Sequence, residues 1–205
     1  MATREGLYAI TPDTDDSERL IELVGDVLPH GVRLLQYRNK SQDPVRRLWQ
    51  ASLLASLCQS HGVTFIVNDD VELALSVGAD GVHLGRDDAA IAAARARLGP
   101  DAVIGASCYD DLALAEAAVA AGASYVAFGA VFPSGTKPNA VRAPLELFGQ
   151  AKRFGVPTVA IGGITPANAG EVVAAGADML AVIGALFDAA DPAQVAERLA
   201  ATFRR

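Results

Sequence analysis

Glycines recur along this chain at the points where a helix-like segment gives way to an apolar run. They are Gly31, Gly62, Gly78, Gly99, Gly122, Gly155 and Gly176. Glycine commonly stands just past a helix end because it adopts a positive φ without steric cost. Seven such transitions, with Leu7–Thr11 as a first strand, predict eight strands that alternate with helices. The other strands are predicted at Arg33–Arg38, Thr64–Asn68, Gly81–Gly85, Val103–Ser107, Tyr125–Ala130, Thr158–Gly162 and Leu180–Gly184.

A weak internal repeat supports this alternation. The segments VGADGVHL, AGASYVAF and AGADMLAV each carry a glycine and lead directly into a predicted strand. The run VAIGG does not alternate between apolar and polar residues, which is typical of parallel strands buried on both faces. Two folds fit, a closed (β/α)8 TIM barrel and an open doubly wound sheet. We favour the barrel because eight units suit closure and no GxGxxG motif follows a strand, so residues 1–205 are expected to form a single barrel domain.

Helix starts fit the same pattern. Asp43-Pro44, Thr165-Pro166 and Asp191-Pro192 each offer an N-cap followed by a first-turn proline. Asp110 and Asp111 precede an alanine-rich segment that ends at Gly122.

Composition narrows the classes of function. The chain has 205 residues, 51% hydrophobic and 20% charged, which is typical of a globular protein. A net charge of -7 without a basic run argues against nucleic acid as a partner. No apolar run is long enough to span a membrane and no secretory h-region is present, so a cytoplasmic location is expected. Two cysteines indicate neither a disulfide framework nor a zinc site, and assembly into a homo-oligomer is left open.

Polar residues gather at one end of the predicted strands. Val32–Lys40, if it is all strand, places Gln36, Arg38 and Lys40 on one side of the pleat, where they would need an anionic partner. Later strands are followed by Asn68, Asp69 and Asp70, by Arg86, Asp87 and Asp88, by Ser107, by Ser134, Thr136 and Lys137, and by Gly162 and Gly163. In a barrel all of these carboxyl ends lie on the face that carries active sites.

Two of the aspartates are predicted to hold a metal. Asp69 and Asp88 follow neighbouring strands, and carboxylate oxygens shared with phosphate oxygens suit Mg²⁺. Helix N-capping is the alternative for any aspartate here, and we assign it to Asp70 and Asp87.

A second anion site is predicted at the last two strands. Gly162-Gly163 lets backbone N–H groups approach an anion, and Ile183-Gly184 precedes a short helix-like segment. Lys137 lies in a long loop, residues 132–143, which we expect to act as a lid.

The three histidines are not predicted to be catalytic. His30 and His61 lie beside helix-ending glycines, where they would complement the helix dipole. His83 is predicted to be a hydrogen-bonded core residue rather than a base.

The order of motifs resembles the thiamine-phosphate synthase family. The matching segments are LYAIT, LLQYRNK, FIVNDDVELAL, GADGVHLGRDD, GASC, YVAFGAVFPSGTK, VAIGGIT and GADMLAVIGALF. The resemblance implies a barrel transferase that couples a hydroxymethylpyrimidine diphosphate to a thiazole phosphate and releases pyrophosphate.

The resemblance also implies roles for individual residues. Mg²⁺ would lie on Asp69 and Asp88, and Arg38, Lys40, Ser107 and Lys137 would act in catalysis. Substrate-binding residues would be Gln36, Arg38, Lys40, Asn68, Ser107, Ser134, Thr136, Lys137, Gly163, Ile183 and Gly184. Three positions depart from the common family pattern: Arg86 for glutamine, Tyr109 for histidine and Gly184 for serine. A thiazole tautomerase and a non-catalytic phosphate-binding regulator stay open as alternatives.

Overall fold

The computed structural model describes residues 5–85, 87–133 and 141–204, with the side chains of 88 and 89 excepted. Eight parallel strands close into a barrel in chain order, with β8 paired to β1. The strands are β1 (Gly6–Ile10), β2 (Val32–Tyr37), β3 (Thr64–Asn68), β4 (Gly81–Leu84), β5 (Val103–Tyr109), β6 (Tyr125–Phe128), β7 (Thr158–Ile161) and β8 (Met179–Val182). The closed barrel predicted from the sequence is therefore confirmed, and the open sheet is not found.

Helices lie between and after the strands. They are α1 (Ser17–Val27), α2 (Pro44–His61), α3 (Val71–Val77), α4 (Asp88–Leu98), α5 (Leu112–Ala120), α6 (Glu146–Ala151), α7 (Ala169–Ala174), α8 (Gly184–Phe187) and α9 (Pro192–Ala201). All seven helix-ending glycines have positive φ, as their positions predicted. No helix in the described ranges is both long and apolar enough to cross a membrane.

The predicted helix starts are confirmed at three of four places. Asp43, Asp111 and Asp191 each accept hydrogen bonds from N–H groups of the first turn of their helix. The start predicted at Thr165-Pro166 is wrong, because α7 begins at Ala169. The Thr165 carbonyl instead closes a turn by accepting from the N–H of Asn168 at 3.2 Å and that of Ala169 at 3.0 Å.

The prediction that Val32–Lys40 is all strand is also wrong. β2 ends at Tyr37, so Arg38 and Lys40 lie in the following loop, while Gln36 points into the barrel and is 2% exposed. The loop leaves the sheet because residues after β1 capture its backbone. The Arg38 N–H donates to Thr11 Oγ1 at 2.9 Å, and the Lys40 N–H donates to Asp13 Oδ1 at 3.1 Å. The strand predicted at Thr64–Asn68 matches β3 at both ends, and the other predicted strand ends lie within two residues of those in the structure.

The barrel has two cores on opposite faces of its strands. One lies between strands and helices and includes Leu7, Ala9 and Leu35. The other fills the barrel interior and consists of Tyr8, Ile10, Leu34, Ile66, Val103, Tyr125, Ala127, Val159, Met179 and Ala181. Strand alternation separates them, since successive side chains point to opposite faces. The interior therefore holds two tyrosines whose hydroxyl groups need partners.

Candidate active site

A polar cleft of about 470 Å³ opens at the carboxyl ends of β2 to β5, and we call it the strand-end cleft. Its lining includes five residues predicted for the site: Arg38, Lys40, Asn68, Asp69 and Ser107. A larger cleft of about 680 Å³ lies at the opposite end of the barrel and contains none of the predicted residues that the structure describes. The strand-end cleft is therefore the candidate site.

Three cationic side chains line the strand-end cleft, those of Arg38, Lys40 and Arg47, and we call them its cationic wall. Arg38 Nη1 lies 3.9 Å from Asp13 Oδ2, a long ion pair that, among the described residues, leaves most of the guanidinium's donors free for a ligand. Arg47 Nη2 lies 2.6 Å from Asp70 Oδ2, and Asp70 also caps α3 through Leu73 N–H. Among the described residues, Arg47 Nε is a buried donor with no hydrogen-bond partner. Because an unpaired buried donor is costly, this wall of the cleft suits an anionic ligand.

Asp69 is the acidic residue that the cleft presents most openly. It is exposed, its Oδ2 accepts from Asn68 Nδ2 at 2.7 Å, and its N–H donates to the His83 carbonyl at 2.9 Å. Asp88 begins α4, but its side chain lies outside the described residues. Asp70 is an N-cap as predicted, and Asp87 Oδ1 accepts from Ala90 N–H at 3.4 Å.

The described donors fit a Mg²⁺ ion that is shared with a ligand. Within the described ranges no group of three or more His, Cys, Asp or Glu side chains converges, so no complete protein cage for a metal exists there. Mg²⁺ is commonly held by one or two carboxylates, with water and substrate phosphates completing its shell. Asp69, in a cleft that is also lined by cationic side chains, is consistent with that mode.

Two residues with left-handed backbone conformation, Asp69 and Tyr109, line the cleft, and Tyr109 stands at a distortion of β5. The register of β5 with β6 shifts between Ser107 and Tyr109, and Tyr109 has a φ of 56°. Asp69 has a φ of 59°, and these are the non-glycine residues of positive φ in the described chain. Both line the strand-end cleft, and left-handed residues of this kind are concentrated at functional sites.

A row of hydrogen bonds runs from the cleft into the barrel, and we call it the tyrosine–histidine chain. Ser107 Oγ lies 2.9 Å from His83 Nε2, and His83 Nδ1 lies 2.8 Å from Tyr125 Oη. Tyr125 Oη lies 2.9 Å from Tyr8 Oη, which accepts a hydrogen bond from Gln36 Nε2. The chain thus connects five side chains on five strands.

Burial controls the protonation of this chain. It lowers the pKa of His83 to about 4 and raises the pKa values of Tyr8 and Tyr125 above their usual range. The imidazole and both phenols are therefore neutral near pH 7. His83 is hydrogen-bonded as predicted, but it is half-buried and lines the strand-end cleft, so its placement as a core residue was wrong.

The predicted second anion site is only partly described. Gly162 and Gly163 have φ values of 100° and 67°, and a Cβ on Gly163 would lie 2.4 Å from the Pro133 carbonyl oxygen. The close neighbour of Gly163 is thus the protein's own backbone, so the anion role remains a prediction. Ile183 and Gly184 precede and open α8. Ser134, Thr136 and Lys137, the central part of the expected lid, and Arg86 lie outside the described residues.

Sequence reasoning missed Tyr8, Tyr125 and Arg47. A tyrosine inside an apolar strand requires a partner for its hydroxyl group, and that was the available signal. Arg47 stands in the first turn of α2, where the helix dipole disfavours a cation, so a nearby carboxylate could have been expected.

A closed barrel with cations, a carboxylate and a polar cleft at its strand ends is the architecture of a barrel enzyme that binds an anionic small molecule. Comparison with known proteins identifies one enzyme family. The family model described as "Thiamine monophosphate synthase" matches residues 7–186. The chain is 65% identical over 199 residues to "Thiamine-phosphate synthase" of Chromobacterium violaceum, covering 97% of this chain and 96% of the relative.

A second related sequence and a solved structure carry the same enzyme's name. The chain is 59% identical to "Thiamine-phosphate synthase" of Azoarcus sp., with 97% of each chain covered. The solved "Thiamine phosphate pyrophosphorylase" from Pyrococcus furiosus superposes with a TM-score of 0.86 at 35% identity, covering 98% of this chain and 96% of that one. The chain therefore belongs to the thiamine monophosphate synthase family, and it is a transferase.

Proposed function

We propose that this enzyme joins 4-amino-2-methyl-5-hydroxymethylpyrimidine diphosphate to 4-methyl-5-(2-phosphooxyethyl)thiazole, giving thiamine phosphate and pyrophosphate. The observation that carries the proposal is that Arg38, Lys40 and Arg47 line one cleft together with Asp69, and that among the described residues Arg47 Nε is a buried donor without a partner. The names of the related proteins support the same reaction.

The reaction is a substitution at the methylene carbon of the pyrimidine. The carbon–oxygen bond breaks, pyrophosphate leaves with the bonding electrons, and the thiazole nitrogen donates its lone pair to the resulting carbocation. The nitrogen carries no proton, so forming the carbon–nitrogen bond needs no general base. This agrees with a neutral His83 whose two ring nitrogens already have partners.

The barrier is mainly the separation of charge, so the groups that matter are those that face the departing pyrophosphate. Arg38 and Lys40 would bind its oxygens, with Asn68 orienting Asp69. Mg²⁺, held by Asp69 and Asp88, would supply positive charge beside the diphosphate. Gly163, Ile183 and Gly184 would bind the thiazole phosphate. Ser134, Thr136 and Lys137 would contact the thiazole phosphate or the released pyrophosphate.

Pyrophosphate release on mixing the two substrates tests the proposal. Release should require both substrates and Mg²⁺, and it should stop when a chelator is added. Asp69→Asn should lower kcat by roughly 10²-fold or more, because about 3 kcal/mol of charge stabilisation is lost in the transition state. A thiazole tautomerase or a phosphate-binding regulator would release no pyrophosphate, and that result would overturn the proposal.

A further inference from the structure

The tyrosine–histidine chain begins at a group that donates and ends at the strand-end cleft. Gln36 is buried and directs its amide nitrogen, a donor, at Tyr8 Oη. A phenol oxygen that accepts this hydrogen bond has one proton left to give, and Tyr125 Oη at 2.9 Å is positioned to take it. Tyr125 then has its own proton to donate, and His83 Nδ1 lies 2.8 Å away.

The assignment of donors and acceptors continues through the imidazole ring of His83. A neutral imidazole has one nitrogen that accepts and one that donates, so a proton donated to Nδ1 requires the ring hydrogen to be on Nε2. A ring that accepts a hydrogen bond at Nδ1 carries only the Nε2 proton, and Nε2 lies 2.9 Å from Ser107 Oγ. The serine oxygen then accepts from His83, and its own hydrogen is free to point into the cleft that it lines.

We infer that the chain is directional and fixes the Ser107 hydroxyl as a hydrogen-bond donor, with Tyr125 and His83 as positioning residues. The ligand group beside Ser107 is then an acceptor, such as an anionic oxygen or a ring nitrogen with a free lone pair. A ligand that offered only an N–H or O–H there could donate to the remaining lone pair of Ser107, but it would leave the serine proton without an acceptor, which is costly in a desolvated site. The opposite polarity, with the Gln36 carbonyl facing Tyr8, would present only a serine lone pair to the ligand.

Nitrogen-15 NMR of histidine-labelled protein tests the direction. The chain has only three histidines, so His83→Gln assigns the signals of His83. In the wild-type protein at neutral pH we expect a protonated Nε2 and an unprotonated Nδ1. A protonated Nδ1, or protons on both nitrogens, would overturn the inference.

Tyr125→Phe tests whether the tyrosine sets the tautomer. Loss of the hydroxyl should leave His83 in a mixture of its two neutral forms. Tyr37→Phe is the matched control, because Tyr37 is equally buried but donates to Gln50, outside the chain. We expect it to leave the His83 signals unchanged. A single unchanged tautomer in Tyr125→Phe would overturn the positioning role of Tyr125.

Equilibrium binding of the pyrimidine diphosphate tests the donor role, and this part rests on the proposed function. Tyr125→Phe should weaken binding by about 3- to 10-fold, the effect of one misaligned hydrogen bond. Unchanged affinity despite a mixed tautomer would overturn the donor role of Ser107. Failure of the wild-type protein to bind this substrate would count against the proposed function, while the tautomer result would stand separately.

Discussion

At the scale of single residues, Arg38 is the side chain whose contacts in the fold indicate a role in ligand binding. Its side chain is largely buried at the edge of the strand-end cleft, and its nearest carboxylate, on Asp13, lies at 3.9 Å. Its backbone N–H is held by Thr11 Oγ1, so the position of the side chain depends on the segment after β1. An ion pair as long as 3.9 Å contributes little to stability. Its value therefore lies in ligand binding.

Arg38→Ala and Arg38→Lys measure that contribution. If Arg38 stabilises the departing pyrophosphate, Arg38→Ala should lower kcat by roughly 10²-fold or more, about 3 kcal/mol in the transition state. Lysine should restore activity only partly, because it cannot make a two-pronged contact with phosphate oxygens. Steady-state kinetics with both substrates gives kcat and KM. A raised KM for the pyrimidine diphosphate with kcat unchanged would show uniform binding, and the catalytic role would be withdrawn.

At the scale of elements, β5 shapes both the barrel interior and the cleft. Gly105 faces Tyr125, and a Cβ at this position would lie 2.0 Å from the tyrosine ring. Two residues further on, the same strand face presents Ser107, and the register shift then brings Tyr109 to the cleft. A small residue early in the strand thus makes room for the tyrosine on which the hydrogen bonds of His83 depend.

Gly105→Ala should destabilise the barrel and disturb the site. The added methyl group forces the Tyr125 ring away from Tyr8 and His83, so we expect a loss of about 1–3 kcal/mol in the free energy of unfolding. Gly149→Ala is the matched control, because its Cβ would meet nothing within 4 Å in α6, and it should be neutral or slightly stabilising. Urea unfolding of both variants checks this. Equal stability of Gly105→Ala and wild type would show that the interior has more space than the structure indicates.

At the scale of the whole molecule, a neutral polar chain at the barrel centre links stability to pH. His83 has a pKa of about 4 in the folded protein, against 6.5 for the free side chain. The unfolded state therefore binds a proton more readily in acid, and the stability contributed by the neutral ring is lost as the pH falls from 6.5 towards 4. Tyr8 and Tyr125 have raised pKa values, so their contribution is present below pH 10 and is lost at more alkaline pH.

The variant His83→Gln isolates the contribution of His83 to the loss of stability in acid. Wild type should lose roughly 2 kcal/mol more than this variant between neutral pH and pH 4.5, at about 1.4 kcal/mol per unit of pKa shift. Urea unfolding at several pH values gives the two curves. The aspartates and glutamates contribute equally to both proteins, so they cancel in the comparison. Parallel curves would show that the pKa of His83 is not lowered on folding.

The sequence by itself determined the eight alternating strand–helix units, the strand ends that carry the cleft, and the resemblance to the family, and it favoured a closed barrel over an open sheet. Those features depend on local signals: helix-ending glycines, capping aspartates, unalternating apolar strands and short motifs. Each is set by a few neighbouring residues, because φ preferences, N-caps and strand burial act over short distances along the chain. Arg38, Lys40, Asn68, Asp69 and Ser107 could be placed near one another for the same reason, since parallel strand ends share a face.

The tertiary structure alone decided how those residues are held. Tyr8 and Tyr125 meet across 117 positions of sequence, and His83 reaches Tyr125 across 42. Strand pleating indicates which side chains point inward, but not which inward hydroxyl meets which ring, because that depends on barrel closure and register. The turn of the Arg38 loop towards Thr11 could not be predicted either, since the hydroxyl that accepts from it belongs to the segment after β1, 27 residues earlier in the chain. Local backbone preferences and caps therefore fix the helices and strands, whereas long-range packing decides which side chains contact one another inside the barrel.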